Sequence, residues 1–256
     1  MNLRRIRARL LRREEGGRYV HLAFALEDAT WQIQPGQFVQ VQVRASGQYD
    51  PFLYRPFSAF WTEPGKLGLL VLPRGRGTRW LVSRKPGTEL VLLGPLGQPW
   101  PRATRVGLVG GGSGVAPVVH YLREYPEEVA WVRLGFREDI PAFLSDLLPP
   151  SVQVEFWSEH GTPGARKGRV TDAPLPLENT ERVLACGPPG MLEALRAHVP
   201  ADRYYASFEE IMGCGFGLCM GCLTPRTGGG HFRTCREGPL FRADQVDWAR
   251  LSAMDH

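Results

Sequence analysis

Four cysteines between residues 214 and 235 constrain this chain more than any other feature. Cys214, Cys219, Cys222 and Cys235 are separated by four, two and twelve residues. A stretch this rich in Gly and Cys is too short to build a hydrophobic core of its own, so a bound metal centre is expected to organise it. The spacing matches the plant-type [2Fe-2S] arrangement, in which a tight loop delivers three thiolates and a more distant cysteine supplies the fourth. Within Cys214-Gly-Phe-Gly-Leu-Cys219-Met-Gly-Cys222 the glycines let the backbone curl closely, with amides turned inward against negative charge. A tetrahedral zinc site is the competing reading. Zinc ribbons usually pair two Cys-x-x-Cys knuckles, and here only Cys219 and Cys222 form one. An iron–sulfur centre carries one electron at a time, so the rest of the chain is expected to hold a group that exchanges single electrons.

The chain is long enough for that. Its 256 residues, 43% of them hydrophobic, allow two separate cores plus a small appendage. The net charge of +5 arises from 31 basic and 26 acidic residues spread through the chain rather than gathered in a stripe. That pattern reads as a solvated surface, and no nucleic-acid partner is expected. No apolar run reaches the length of about 18 residues needed to cross a membrane; the longest, Leu67 to Leu72, is strand-sized. Met1 to Arg13 alternates arginine with aliphatics and lacks an apolar core, so a secretory signal is not expected and a cytoplasmic location is. In that compartment clustered cysteines read as metal ligands rather than disulfides.

Up to about residue 100, short β-like runs at Tyr19–Leu26, Gln37–Arg44, Arg55–Trp61, Leu67–Leu72 and Glu89–Leu93 are broken by Gly- and Pro-bearing turns, with one helix near Arg79–Arg84. This rhythm predicts a small antiparallel barrel. After a linker at Gly94 to Pro101, strand and helix alternate: Val106–Val109, Val115–Glu124, Val129–Gly135, Ile140–Leu147, Val152–Trp157, Val183–Cys186 and Met191–His198. That alternation predicts a parallel sheet covered by helices. The expected fold is thus β barrel plus α/β, divided as a barrel domain at 1–101, a nucleotide domain at 102–208 and a cluster domain at 209–256.

Several segments carry candidate chemistry. Arg55-Pro56-Phe57-Ser58 opens a strand, where the arginine can meet a phosphate and Ser58 a flavin ring. Gly75-Arg76-Gly77-Thr78 follows the strand that ends at Val71 and Leu72, and its amides can hold a pyrophosphate. Each segment taken alone reads as an ordinary turn. Gly110-Gly-Gly112-Ser113-Gly114 joins a strand to a helix, but Ala116 and Pro117 stand where the dinucleotide fingerprint has its third glycine. Cys186-Gly187-Pro188 ends a strand; on its own it reads as a buried cysteine and a turn. Arg137 favours a 2′-phosphate and Glu138 a free 2′-hydroxyl, so NAD and NADP both stay open. Glu209 and Glu210 read as a solvated strand end. His21, His120, His160, His198, His231 and His256 show no ligand-like spacing.

In order and spacing these segments resemble the ferredoxin–NADP reductase superfamily. The resemblance implies that Arg55, Pro56, Phe57, Ser58, Val71, Leu72, Gly75, Gly77 and Thr78 bind FAD. It implies that Gly110, Gly112, Ser113, Gly114, Cys186, Gly187 and Pro188 bind the nicotinamide nucleotide. With Cys214, Cys219, Cys222 and Cys235 as ligands and Cys235-Arg-Glu-Gly-Pro-Leu-Phe241 after them, the chain is most similar to the electron-transfer subunits of type B dihydroorotate dehydrogenases. That family usually has Met-Ala-Cys at the first ligand; here it is Met212-Gly213-Cys214. The resemblance implies an FMN-containing (β/α)₈ catalytic subunit as partner, a heterotetramer, and a role in pyrimidine biosynthesis. A nicotinamide exchanges two electrons together and a cluster one, so FAD must stand between them, and no general acid or base is expected. A diaphorase subunit of a hydrogenase, a glutamate synthase or a ferredoxin–nicotinamide oxidoreductase, and a non-catalytic redox sensor, are the alternatives.

Overall fold

The computed structural model describes residues 3–254; His256 lies outside them. Residues 4–16 set the pattern of the first half. Buried Ile6, Ala8 and Leu10 alternate with exposed Arg5, Arg7 and Arg9. A period of two puts Ile6, Ala8 and Leu10 on one face, and the segment is a strand, β1 (Arg4–Gly16). The strands expected from the sequence begin at Tyr19, and β1 precedes them. β1 turns into β2 (Tyr19–Leu26) through Gly17, whose φ of +57° suits a hairpin of two residues. Next come β3 (Phe38–Val41), β4 (Arg55–Glu63), β5 (Lys66–Val71), the helix α1 (Arg76–Val82) and β6 (Glu89–Leu96). The six strands close a barrel in the order β1-β2-β5-β4-β3-β6, every neighbour antiparallel. Closure removes free edges, and the interior is filled by Leu10, Leu22, Phe24, Val39, Leu67, Leu69 and Leu92, with Leu81 of α1 packed among them. The stretch read as a linker is packed too. β6 runs to Leu96, and the Trp100 indole lies against Gly36, where a Cβ would stand 1.9 Å from its Cδ1.

The second half is a sheet of seven strands: β7 (Val106–Gly111), β8 (Val129–Phe136), β9 (Val154–Ser158), β10 (Arg166–Lys167), β11 (Arg182–Cys186), β12 (Tyr204–Ser207) and an edge strand described below. These six are parallel, and β7 lies at the centre with β8 on one side and β11 on the other. The chain order reverses there, which places a crevice beyond the carboxyl ends of β7 and β11. Residues 142–147, read as an α-helix, form a 3₁₀ helix. The helix α2 (Val115–Glu124) is buried on nearly all sides because it is sandwiched between sheet and barrel. Val118, Val119 and Leu122 share one core with Phe60, Trp61 and Leu70 of the barrel. His120 crosses the same seam to within 3.0 Å of the Thr62 hydroxyl, and burial, aided by Arg123, pushes its pKa down to about 3. The two halves are therefore held together as one packed unit. α3 (Pro189–Arg196) covers the sheet beside β11.

The last segment carries β13 (Leu223–Pro225), β14 (His231–Arg233), α4 (Thr234–Glu237), β15 (Leu240–Arg242) and α5 (Trp248–Ala253). The sequence reading expected a metal alone to organise it. Instead β15 joins the sheet, antiparallel to β12, and Trp248 stacks on Tyr204 with ring centroids 6.3 Å apart. Cys222 and Cys235 share a small core with Phe38 and Leu96 of the barrel. The segment borrows the cores of both preceding units. No helix of the described residues is long and apolar enough to cross a membrane.

Candidate functional site

Three of the positions around the cysteines take backbone conformations that only a tight loop demands. Gly215 and Gly217 have φ of +81° and +86°, and Met220 has +57°. The curl aims the amides of Leu218 and Cys219 at the Cys214 sulfur, 3.3 and 3.4 Å away. Burial resists ionisation of Cys214, yet the amides of Cys219, Phe216 and Leu218 and the Cys219 thiol outweigh it and bring the pKa down to about 6. Cys222 and Cys235 form a second pair, sulfurs 3.1 Å apart, because the Thr234 N–H donates to the Cys222 carbonyl at 2.8 Å. Burial and the neighbouring Cys222 raise the Cys235 thiol to about 12. The buried Thr224 and Thr234 hydroxyls, 2.7 Å apart, pin the strand and helix that carry this pair, while Arg233 bridges Glu237 and the Gly217 carbonyl.

The sulfurs thus stand as two pairs, 214 with 219 and 222 with 235. Among the described residues no group of three or more potential ligands is gathered around one point. Two pairs suit a two-iron centre, in which four thiolates are shared between two metals. Around them Ile211, Leu218 and Met220 are 76%, 76% and 54% exposed. Phe216 instead packs inward against the core of Phe38, Leu96 and Met212.

The barrel, the sheet and the cysteine segment wall one cavity of about 240 Å³. Pro56, Phe57, Ser58, Leu72 and Thr78 come from the barrel side, Ser113 and Cys186 from the sheet, and Met212 from the cysteine segment. A second cavity of about 600 Å³ adjoins it, lined by Gly112, Ser113, Gly187 and Pro188. Both share Arg74, Ser113 and Glu209. Arg55 lies beside Gly77: a Cβ there would stand 3.4 Å from its Cγ and Nε, and 2.8 Å from Val43 Cγ2. One guanidinium nitrogen of Arg55 is anchored to the Leu53 carbonyl at 2.8 Å. The Thr78 hydroxyl accepts from the amides of Arg74 and Gly75, both at 3.0 Å, and so fixes the turn.

Not every residue singled out in the sequence faces these cavities. Val71 is fully buried in the barrel interior. Gly110 lies under Leu134 and Val115. Gly114 is where the chain crosses β11, since a Cβ would come 2.2 Å from the Cys186 carbonyl oxygen. Its absent side chain permits the crossing of backbones rather than contact with a ligand. Glu138 faces Arg18 of the barrel at 3.4 Å. Cys186 is buried; desolvation and Glu209 raise its pKa, so it stays a neutral thiol despite its hydrogen bond with Ser207.

Arg74 and Glu209 are the site residues that sequence reasoning missed or set aside. Glu209 opens onto both cavities, yet surrounding protein raises its carboxyl pKa through burial, against the opposing pull of Arg74 and Ser113. Glu209 follows β12 and keeps an exposed face, in line with the reading of a solvated strand end; its place at the mouths of both cavities is what that reading did not include.

Comparison with known proteins fits this geometry. Residues 209–247 match the family model described as the iron-sulfur cluster binding domain of dihydroorotate dehydrogenase B. The dihydroorotate dehydrogenase B (NAD(+)) electron transfer subunit of Bacillus caldolyticus is 36% identical, over 83% of this chain and 86% of its own. The Listeria innocua subunit of the same name is 31% identical, over 84% of this chain and 87% of its own. In fold, the chain resembles an NADH-dependent reduced ferredoxin-NADP oxidoreductase, with TM-score 0.78, 24% identity and coverage of 96% and 91% of the two chains. It also resembles a ferredoxin NADP+ reductase of Neisseria gonorrhoeae, with TM-score 0.62, 17% identity and coverage of 80% and 94%.

Proposed function

Because the chain belongs to the family of electron transfer subunits of dihydroorotate dehydrogenase B, we propose that it relays electrons between a dihydroorotate-oxidising catalytic subunit and NAD⁺. The relay runs through a [2Fe-2S] cluster on Cys214, Cys219, Cys222 and Cys235 and through FAD, whose ring would take the 240 Å³ cavity. One observation carries this reading: that cavity is walled by barrel, sheet and cysteine segment at once, so a single group in it stands beside both the nucleotide crevice and the cluster loop. FAD, when bound, exchanges two electrons with a nicotinamide and single electrons with a cluster.

The chain's own residues place and tune. Residues 1–101 hold the flavin: Arg55 offers charge to its phosphates, Gly75, Gly77 and Thr78 shape the turn beside them, and Phe57 and Ser58 meet the ring. Residues 102–208 hold NAD⁺: Gly112 and Ser113 open the crevice, and Gly187 and Pro188 form its opposite wall. Cys186 keeps a neutral, buried thiol at the junction and brings no charge there. Residues 209–256 hold the cluster, with backbone amides stabilising the charge on Cys214. The relatives' NAD(+) supports NAD over NADP. The partner in this reading is an FMN-containing (β/α)₈ subunit, two of each chain forming a heterotetramer in the cytoplasm, where thiols stay reduced.

Two sets of substitutions separate these roles. Arg55→Ala and Gly77→Leu are expected to weaken flavin retention by about tenfold or more, one by removing a charge-assisted contact and the other by a clash with Val43 that shifts the turn. Gly112→Leu is expected to raise the KM for NADH with flavin still bound, because its φ of +58° resists a side chain. Equal flavin loss in both sets counts against the division. The reading as a whole is tested by co-expression with an FMN-containing dihydroorotate dehydrogenase subunit from the same genome. The complex is expected to couple dihydroorotate oxidation to NAD⁺ reduction, and neither chain alone to do so. A chain that binds no such subunit but reduces dyes with NADH is a diaphorase of another complex.

A further inference from the structure

Gln40 breaks the pattern of its strand. Phe38, Val39 and Val41 are apolar and buried, and Gln40 among them is 0% exposed. Val39 and Val41 fill the barrel interior, while Phe38 points outward to the core that holds Cys222 and Cys235. The two-residue period of a strand puts Gln40 on the Phe38 side. There it meets the cysteine loop: a Cβ on Gly215 would stand 2.6 Å from Gln40 Nε2 and 2.8 Å from its Cγ. Gly215 adjoins Cys214 and, at a φ of +81°, forms part of the curl around the thiols.

Neither Nε2 nor Oε1 of Gln40 has a hydrogen-bond partner within the chain. Among the described residues it is the only buried side chain with two polar atoms in that condition. A buried carboxamide without partners is strongly unfavourable, and an aliphatic residue would seal the same seam. Such a conflict between a residue and its surroundings marks a functional position. The flavin cavity does not supply the partner, because Gln40 is not among its walls.

We propose that the Gln40 carboxamide donates a hydrogen bond from the barrel wall to a sulfur of the cluster bound in the 214–222 loop, and that this bond raises the cluster's reduction potential. The proposal rests on the functional reading above. Reduction adds negative charge to the cluster, and an N–H aimed at sulfur stabilises the reduced form more than the oxidised one. Gln40 is on this account a positioning and tuning residue, remote from the nicotinamide. It ties the electron acceptor in one segment to the barrel that carries the flavin.

The test uses the protein with flavin and cluster bound. Iron and acid-labile sulfide are measured first; a native protein with neither overturns the cluster reading and the proposal together. With the cluster present, Gln40→Leu is expected to retain it and to shift its one-electron reduction equilibrium about tenfold toward the oxidised form, about 59 mV lower. Gln40→Glu, of the same shape and acceptor-only once ionised, is expected to shift it further in the same direction at a pH above the titration of that carboxyl. In the native protein labelled with ¹⁵N in glutamine side chains, pulsed EPR of the reduced cluster is expected to show a side-chain nitrogen coupling that Gln40→Leu removes. A fully loaded Gln40→Leu protein with unchanged potential overturns the proposal. If both variants lose the cluster, the native spectrum decides: without a glutamine nitrogen coupling, the proposal falls.

Discussion

Replacing Leu218 and Met220 together by glutamate is expected to lower NAD⁺ reduction by dihydroorotate in the complex by about a hundredfold or more, while the subunit's own NADH-dependent dye reduction changes less than about twofold. The asymmetry follows from where the side chains lie. Both are exposed on either side of Cys219, at 76% and 54%, and Ile211, also 76% exposed, extends the apolar surface. Apolar side chains gathered around a redox centre suit a docking face, and a charge buried there without a partner is costly. Neither residue lines either of the two cavities proposed for flavin and nucleotide, so dye reduction has no reason to fall. Phe216 gives the contrast: it packs inward against Phe38 and Met212, so Phe216→Glu is expected to cost cluster content rather than docking alone. Steady-state assays with and without the partner, beside iron content, separate the two. Full coupling in the double variant moves the docking face elsewhere.

Cys235→Ser is expected to empty the cluster site almost completely, with iron and sulfide falling by about tenfold or more, and to leave flavin content near one per chain. Cys235 is wholly buried, and its sulfur is held against that of Cys222 by a hydrogen bond between their neighbouring backbones. No other cysteine is placed to replace it. Cys186, the fifth, is buried at the end of β11 and hydrogen-bonds with Ser207. Cys186→Ser is therefore expected to keep both flavin and cluster. The residues proposed to hold flavin lie in a barrel whose interior core includes no part of the cysteine segment, so its fold is expected to survive loss of the cluster. Elemental analysis and flavin absorbance of the two serine variants measure both effects. Loss of flavin together with iron in Cys235→Ser contradicts the independence of the barrel.

Much of this architecture was legible because it rests on local chemistry. The cysteine spacing, the turns at Gly16-Gly17 and Pro64-Gly65, and the change from strand runs to strand–helix alternation are written in consecutive residues. β2 and α2 fall on the residues expected for them. What stayed hidden depends on distant partners. β15 is three residues long and becomes a strand only because β12 offers an edge. β1 was overlooked because arginines dominate its composition, although its alternation of Ile6, Ala8 and Leu10 is a strand signal. The roles of Gly114 and Val71 depend on which backbone or core each one meets, and a motif does not reveal that. Arg74 and Glu209 belong to no motif and reach the cavities only through the packing of three segments.

Anaerobic addition of NADH to the isolated chain, followed by low-temperature EPR, tests the relay most directly. The cysteine pairs, the shared cavity and the nucleotide crevice together predict that hydride from NADH bleaches the flavin absorbance. A [2Fe-2S] signal should then grow to about one spin per chain, with no partner present. Bleached flavin beside a cluster that stays silent, or stoichiometric zinc without sulfide, contradicts a continuous path through this protein.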